Sequence, residues 1–302
     1  MPLHHVILDT DIGSDVDDAL ALIQILGTPS IALAGVTTVY GDATLRARIA
    51  RRYAALAGID LLAHPGIATP LSGREVWWAG HEGSLHSDLD SEPVADSAVD
   101  YLVRTVLEQP GAIDIVAIGP LTNIAAAIQA DPRFAPSVRG LWVMGGSFAA
   151  EEPEHNFRSD TAAAQIVFDA GIPTVVTGLE VTRQIEIRED SLAKIAQSGP
   201  AGRALQADIA QWWEYWDTQW NVPHDPVTVL TLTRPDLFAF SGPGRVQIRP
   251  DGEQAGLSVF QPDPRGWARI AESADATAVG DEIVRAIVAA GDKAPILGPV
   301  TA

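Results

Sequence analysis

No cysteine occurs anywhere in the 302 residues. Disulfides, thiolate zinc sites and cysteine nucleophiles are excluded together, and a cytoplasmic location is expected. Positive charge is scarce as well. Lysine stands only at Lys194 and Lys293, and 20 Lys and Arg face 39 Asp and Glu, a formal net charge of -19. Without a basic patch the chain is expected to bind neither nucleic acid nor an anionic membrane. No apolar run approaches the roughly 18 residues of a membrane span. The N-terminus MPLHHVILDT has no basic segment leading into a long apolar stretch. Also missing are GxSxG, a phosphate-binding glycine loop, and GxGxxG after a strand. With 47% hydrophobic and 20% charged residues, the composition is that of an ordinary globular protein.

What the sequence holds in excess is carboxylate. In VILDTDIGSDVDDAL, residues 6–20, three apolar residues lead into Asp9, Asp11, Asp15, Asp17 and Asp18, after which an apolar helical pattern begins. So many like charges in one short run repel one another, and a fold gathers them only around something positive. A hard divalent cation meets that demand, Ca2+ accepting more oxygen ligands in looser geometry than Mg2+. Gly13 permits a tight turn. Asp17 and Asp18 would occupy the first turn of a helix, where the helix dipole favours negative charge. Helix capping would explain one Asp but not five. A D-x-D-x-D-G calcium loop is not matched either, since the Gly comes too early and no Glu stands at the twelfth position.

The rest of the chain alternates strand and helix. A helix is predicted over 17–26, a buried β-branched strand over 31–39 and a helix to about 57, the opening of a parallel sheet with helical crossovers. Ligands in such sheets gather at the carboxyl ends of strands, where Asp11 and Asp42 would lie. Residues 64–95, rich in Pro, Gly, Ser, His and acid around Trp77 and Trp78, read as a long loop carrying His81, Glu82 and His86. A helix over 96–109 precedes a strand over 113–118, closed by GPLTNI with Thr122 or Asn123 as helix cap. A strand over 140–144 is closed by GGSF, and a helix over 161–170, a strand over 172–177 and a helix over 188–197 follow.

A long helix over 202–220 would set Trp212, Trp216 and Trp220 in one stripe, readable as a packed face, a subunit contact or a stacking wall for a planar ligand. His224 and Asp225 sit between Pro223 and Pro226, rigidly presented at the start of an element. Strand-like pieces at 245–248, 257–260 and 267–270 and a helix over 276–290 complete the pattern. The tail 293–302 is expected to be loosely held. With no linker or repeat visible, residues 1–302 are expected to form a single α/β domain with an open, mostly parallel sheet flanked by helices. At the strand ends, Asp9, Asp11, Asp17, Asp18, Asp42, Asn123, Glu154, Asn156, His224 and Asp225 would combine a metal site, hydroxyl binders and one titratable His. Many carboxylates and amides with few cations suit a neutral polyhydroxylated substrate such as a sugar, because a phosphate would be repelled.

Five segments, DTDIGSDVDDALAL, AIGPLTNIA, VMGGSF, EHN followed by SDTAAA, and HDP, resemble in order the nucleoside hydrolases of the inosine-uridine type. The resemblance runs over most of the chain. It implies a Rossmann-like nucleoside hydrolase fold, N-ribohydrolase activity on small ribonucleosides, a tightly held Ca2+, and a homodimer or homotetramer. It also implies roles for particular residues. Asp11 looks like a metal ligand and general base, and Asp18 and Asp225 like further metal ligands, Asp225 also reaching the ribose 3′-hydroxyl. Thr122 would give its backbone carbonyl to the metal, and Asp17 would bind the 2′-hydroxyl. Glu154 and Asn156 match a ribose-binding pair, and His224 matches an acid for the leaving base. Asp42, Asn123, His81, Trp212 and Trp216 are further candidates for contact with substrate. In the implied reaction a Ca2+-bound water, deprotonated by Asp11, attacks the anomeric carbon through an oxocarbenium-like transition state.

The sequence departs from the family's DxDPGxDD pattern. Ile12 replaces the Pro, and two extra residues separate Gly13 from Asp17 and Asp18, which makes Asp15 an alternative ligand. Asp42 stands where Asn is frequent, and His155 where Phe is frequent. Base preference is expected to reside in the 64–95 loop and the Trp-rich helix. Two rivals belong to other classes. A phosphatase of the haloacid-dehalogenase type also starts with a strand and Asp-x-Asp, but would need a mid-chain Lys and a downstream acidic pair. A non-catalytic calcium- or ribose-binding protein would keep the site without turnover.

Overall fold

Strand β1 (His4–Thr10) is the spine of the molecule. Val6 and Leu8 face one apolar core and Ile7 the other, and every residue from Val6 to Thr10 is buried. A strand buried on both faces requires helices on both sides. In the computed structural model, which describes residues 3–150 and 152–291, the chain supplies them. After β1 come α1 (Asp17–Gly27), β2 (Ile31–Thr38), α2 (Ala43–Leu56), β3 (Ala63–Pro65), α3 (Ala98–Glu108) and β4 (Ile113–Ala117). The middle holds α4 (Thr122–Ala130), α5 (Phe134–Ser137), β5 (Gly140–Met144), α6 (His155–Ser159), α7 (Thr161–Asp169), β6 (Thr174–Thr177) and α8 (Leu179–Thr182). The last part is α9 (Glu189–Ala196), α10 (Pro200–Trp216), α11 (His224–Thr233), β7 (Phe238–Phe240), β8 (Gly244–Ile248), β9 (Ser258–Pro262), β10 (Ala268–Ala274) and α12 (Ala276–Gly291).

The strands lie in the order β3-β2-β1-β4-β5-β6-β10-β8-β9, with β7 paired to β10. From β3 to β10 the neighbours run parallel, while β7, β8 and β9 attach antiparallel beyond. Helices α1, α2 and α9 to α12 pack on one face, and α3, α4, α5 and α7 on the other. This is the single α/β domain with a mostly parallel sheet that the alternation predicted. After β1 the chain proceeds to β2 on one side, whereas β4 lies on the other side of β1. Crossovers diverge there, opening a crevice beyond the carboxyl ends of β1 and β4. Asp11 follows β1 and Thr122 starts the helix after β4, so both border it.

Several predicted elements are corrected. The helix expected over 202–220 starts at Pro200 and stops at Trp216, because Asp217 takes a left-handed conformation (φ 53°). Trp220 therefore leaves the stripe. The segment 64–95 begins inside β3 and contains one short helical turn, Leu89–Ser91. Its irregular part is anchored: the backbone N–H groups of Leu71 and Ser72 donate to the Asp160 carboxylate at 2.6 and 3.0 Å, and that of Trp77 to the Tyr40 hydroxyl at 2.7 Å. Elements as short as β7 and α5 leave no periodic pattern to read. The tail 293–302 lies outside the described residues. Among the described residues no helix is long and apolar enough to cross a membrane.

Candidate active site

The site is assembled from two helix starts and one turn. Beyond β1 the chain turns at Gly13, whose φ of +119° suits glycine and where a Cβ would lie 2.8 Å from Ile49 Cδ1. The Thr10 hydroxyl accepts from Ile12 N at 3.1 Å and donates to the Asp18 carboxylate. Asp17 and Asp18 then occupy the first turn of α1, and Asp225 the first turn of α11. The two helices pack side by side, with Gln24 Nε2 donating to Pro226 O at 3.2 Å. Asp225 N donates to Asp17 Oδ2 at 3.3 Å. Carboxylate oxygens of Asp17, Asp18 and Asp225 consequently lie within 4.8 Å of one another, all buried. Asp11 comes close on the other side, its Oδ1 only 2.7 Å from where a Cβ at Gly119 would be. A side chain at 119 would displace it.

On balance the cluster disfavours bare negative charge, since burial outweighs the few hydrogen bonds and cations that support it. Burial pushes the carboxyls of Asp11, Asp17, Asp18 and Asp225 upward, and for the last three the neighbouring carboxylates add to the effect. Asp15 is raised to about 7, chiefly by burial. At Asp11 the rise is opposed by Arg46, by His155 and by a backbone hydrogen bond. The donors are hard oxygens alone, which fits a hard divalent cation, the compensation such a cluster requires.

Above the acids lies a cavity of about 510 Å³, a volume suited to a small ligand. One wall is Glu154 and Asn156. Glu154 caps α6, accepting from Gly146 N, Asn156 N and Phe157 N at 3.1, 2.8 and 3.0 Å, and burial raises its carboxyl. Asn156 Nδ2 donates to Ile118 O at 2.8 Å and Met144 O at 3.3 Å. Trp212, Trp216, Arg183 and His224 also line the cavity. Burial, with Arg183 adding to it, lowers His224 to about 4, so its ring is neutral. Nδ1 of His224 lies 2.7 Å from Thr182 Oγ1. With the Thr182 hydroxyl as donor to Nδ1, the ring proton stands on Nε2.

Asp11, Asp15, Asp17, Asp18, Glu154, Asn156, Trp212, Trp216, His224 and Asp225 are thus brought to one cavity. Four other candidates stand apart from its lining. Asp42 is exposed and caps α2 through Leu45 N at 2.9 Å. Asn123 is fully buried below, its Nδ2 donating to Asp9 Oδ1 at 2.8 Å and Thr38 O at 2.9 Å, its Oδ1 accepting from Ile67 N at 2.9 Å. A buried amide with every partner inside the protein has nothing left for a substrate. The Thr122 side chain donates to Asp160 Oδ2 at 2.8 Å. His81 lies behind the Gly13 turn, with Nε2 2.9 Å from Ser14 O and its ring edge-on to Trp212 and Tyr215.

Other lining residues had been given no role. Tyr40, Trp77, His155 and Arg183 reach the cavity from loops and a short helix, where no periodicity marks them. Arg46 had a signal. It falls among Ala43, Ala47, Ala50 and Tyr53 on the buried face of α2, and a charge in an apolar stripe demands a reason.

The family model described as inosine-uridine preferring nucleoside hydrolase matches residues 6–281. A probable uridine nucleosidase 2 of Oryza sativa subsp. japonica is 32% identical over 286 residues, covering 87% of this chain and 83% of that protein. Uridine nucleosidase 1 of Arabidopsis thaliana is 30% identical over 283 residues, with coverage of 87% and 83%. A solved plant nucleoside hydrolase superposes with a TM-score of 0.85 at 29% identity, covering 95% of this chain and 99% of that one. The chain therefore belongs to the inosine-uridine preferring nucleoside hydrolases, a family of metal-dependent enzymes acting on small-molecule nucleosides.

Proposed function

We propose that the protein hydrolyses the N-glycosidic bond of ribonucleosides to free base and ribose, with Ca2+ as its metal. The observation that carries this is the meeting of Asp17 and Asp18 with Asp225, from opposite ends of the chain, in one buried cluster under a nucleoside-sized cavity. Asp11, Asp18, Asp225 and the Thr122 carbonyl are the proposed ligands, with Asp15 the alternative. Asp17 and Asp225 take the ribose 2′- and 3′-hydroxyls. When bound, calcium supplies a Lewis acid that orders the attacking water and those hydroxyls.

The remaining work falls to side chains. Asp11 accepts the proton of the attacking water; calcium acidifies water less than zinc does, so a carboxylate base beside it is required. As the glycosidic bond breaks, positive charge on the ribose develops among Asp11, Asp17, Asp225 and Glu154, whose fixed negative charge stabilises it. Glu154 and Asn156 hold the ribose, the Asn156 carbonyl oxygen being the atom left for a hydroxyl. His224, neutral with its proton on Nε2, donates a hydrogen bond to the departing base. Trp212 and Trp216 offer faces for that base to stack on. The 64–95 segment contributes Trp77 to the wall, which supports its reading as an active-site loop. A cytoplasmic homodimer or homotetramer completes the reading, its mass to be checked by light scattering.

Release of reducing sugar from uridine, inosine, cytidine and adenosine tests the activity, with metal analysis of the purified protein alongside. The relatives named as uridine nucleosidases make uridine the first substrate. Absence of sugar release from every riboside by metal-loaded protein would overturn the hydrolase reading in favour of a binding protein.

A further inference from the structure

The turn joining Gly13 to Asp17 is two residues longer than the DxDPGxDD pattern, and a longer connection has more conformational freedom to lose. Yet it must present Asp11, Asp17 and Asp18 together. Arg46, fully buried on α2, runs along it. Its Nη1 donates to the Asp11 carbonyl and, at 2.9 Å, to the Ile12 carbonyl, and its Nη2 to Ser14 Oγ at 3.2 Å. Its Nε donates to Tyr40 O at 2.6 Å. Tyr40 holds a left-handed φ of 69°, a conformation that a bulky residue keeps only with support. Ser14 is gripped from the far side too: its hydroxyl donates to Glu82 Oε1 at 2.7 Å, and its carbonyl meets His81 Nε2 at 2.9 Å. Trp78 closes over the guanidinium, with its ring centroid 4.8 Å away.

Among the described residues Arg46 makes no direct ion pair, although carboxylates crowd the same cavity and its charge is felt at Asp11 and Asp18. Its fork is directed at backbone carbonyls and one hydroxyl, a use for which a planar guanidinium is suited and an ammonium is not. We propose that Arg46 is a positioning residue for the reaction: its geometry, more than its charge, presets the lengthened turn so that the carboxylates stand ready for the cation. This rests on the Ca2+ reading above. A preset turn leaves less ordering to be done when the cation binds.

Calorimetric Ca2+ titration of wild type, Arg46→Lys and Arg46→Met, with kcat and KM for uridine measured at limiting and at saturating Ca2+, tests the inference. Both variants should bind Ca2+ about 10- to 100-fold more weakly, as for other residues that orient metal ligands. Excess Ca2+ should restore most of kcat with KM little changed. Arg46→Lys matching wild type while Arg46→Met binds more tightly would assign the role to charge and overturn the proposal. Unaltered affinity in both, with only a lower melting temperature, would make Arg46 structural and overturn it as well. Should both variants fail to fold, Ser14→Ala decides: weaker binding supports the brace, unchanged binding refutes it. A wild type that takes up no Ca2+ removes the calcium reading and this inference together, whereas normal wild-type uptake with wild-type-like variants removes this inference alone.

Discussion

The two walls of the cavity are built differently. The acidic side comes from the starts of α1 and α11 and from the turn after β1. Asp17, Asp18 and Asp225 are buried and Asp11 and Asp15 half-buried, and several are held by hydrogen bonds from backbone or hydroxyl partners. The aromatic side comes from the end of α10 and the loops around it. Trp216 is 54% exposed and Tyr215 46%, and these rings rest chiefly on one another, Trp212 stacking on Tyr215 at 5.7 Å between centroids. Bond-breaking chemistry needs carboxylates fixed within fractions of an ångström, which regular elements provide. Recognition of a base tolerates, and gains from, a more adjustable surface. Substitutions should therefore act on kcat on one side and on KM on the other.

The sharpest way to break that comparison is Asp11→Asn. It keeps size and hydrogen-bonding shape while removing the proposed base, so kcat should fall by at least about 10² with the circular dichroism spectrum unchanged. Near-normal turnover would take Asp11 out of the role. Metal removal comes next. Dialysis against EDTA should abolish activity, and it should also change how stability depends on pH. Asp9 and Asp15 titrate near pH 7 in the fold instead of near 3.8, because burial penalises their charge. Between about pH 4 and 7 the folded state then holds protons that the unfolded chain has released, so stability falls as pH rises. The metal-free protein should melt at a higher temperature at about pH 5.5 than at about 7.5. Added Ca2+ should raise the melting temperature most at the higher pH. A metal-free melting temperature that rises with pH would contradict the burial of uncompensated acids.

The same contrast explains what the sequence disclosed. The acids of the first turn sit within one short run, and strand followed by helix dictates where such a run lies in a parallel sheet, so the gathering of acids at the end of β1 and the α/β architecture could be read directly. Asp225 was legible as half of a rigid His-Asp pair, but its place beside Asp17 and Asp18 needed the resemblance, since nothing local says that α11 packs beside α1. Asp42 and Asn123 were legible as polar residues at strand ends. Which way their side chains turn depends on tertiary partners, and these are a helix N-terminus for one and the buried Asp9 for the other. The end of α10 depends on Asp217 adopting a left-handed conformation, for which the sequence offers no glycine as a warning. Arg46 showed itself only as a charge in the apolar stripe of α2, because its partners are mostly backbone carbonyls, which carry no sequence signature.

His224 starts α11 beside Asp225 and lines the same cavity as Trp212 and Trp216, so its removal shows how leaving-group help is divided. A neutral imidazole donating from Nε2 should matter for a base that needs a hydrogen bond to depart, and little for p-nitrophenol. For His224→Ala the loss on uridine should reach about 10² in kcat, with p-nitrophenyl riboside affected far less. Equal losses on both substrates would shift the role to holding Asp225 in place.

The smallest effect is expected at Trp216, the most exposed ring of the aromatic wall. Its neighbours Trp212 and Tyr215 lie edge-on to it at 5.7 and 5.2 Å, so removing it leaves the stacked pair intact. Trp216→Ala should raise KM for nucleosides several-fold, consistent with the loss of one base-stacking face worth about 1–3 kcal/mol at most, and leave kcat nearly untouched. The change should differ between purine and pyrimidine ribosides, whose bases present different stacking areas, and vanish for a substrate whose leaving group is too small to reach the ring. If kcat fell as far as KM rose, the ring would be serving the transition state, and the division of labour between a fixed acidic wall and an adjustable aromatic one would not hold.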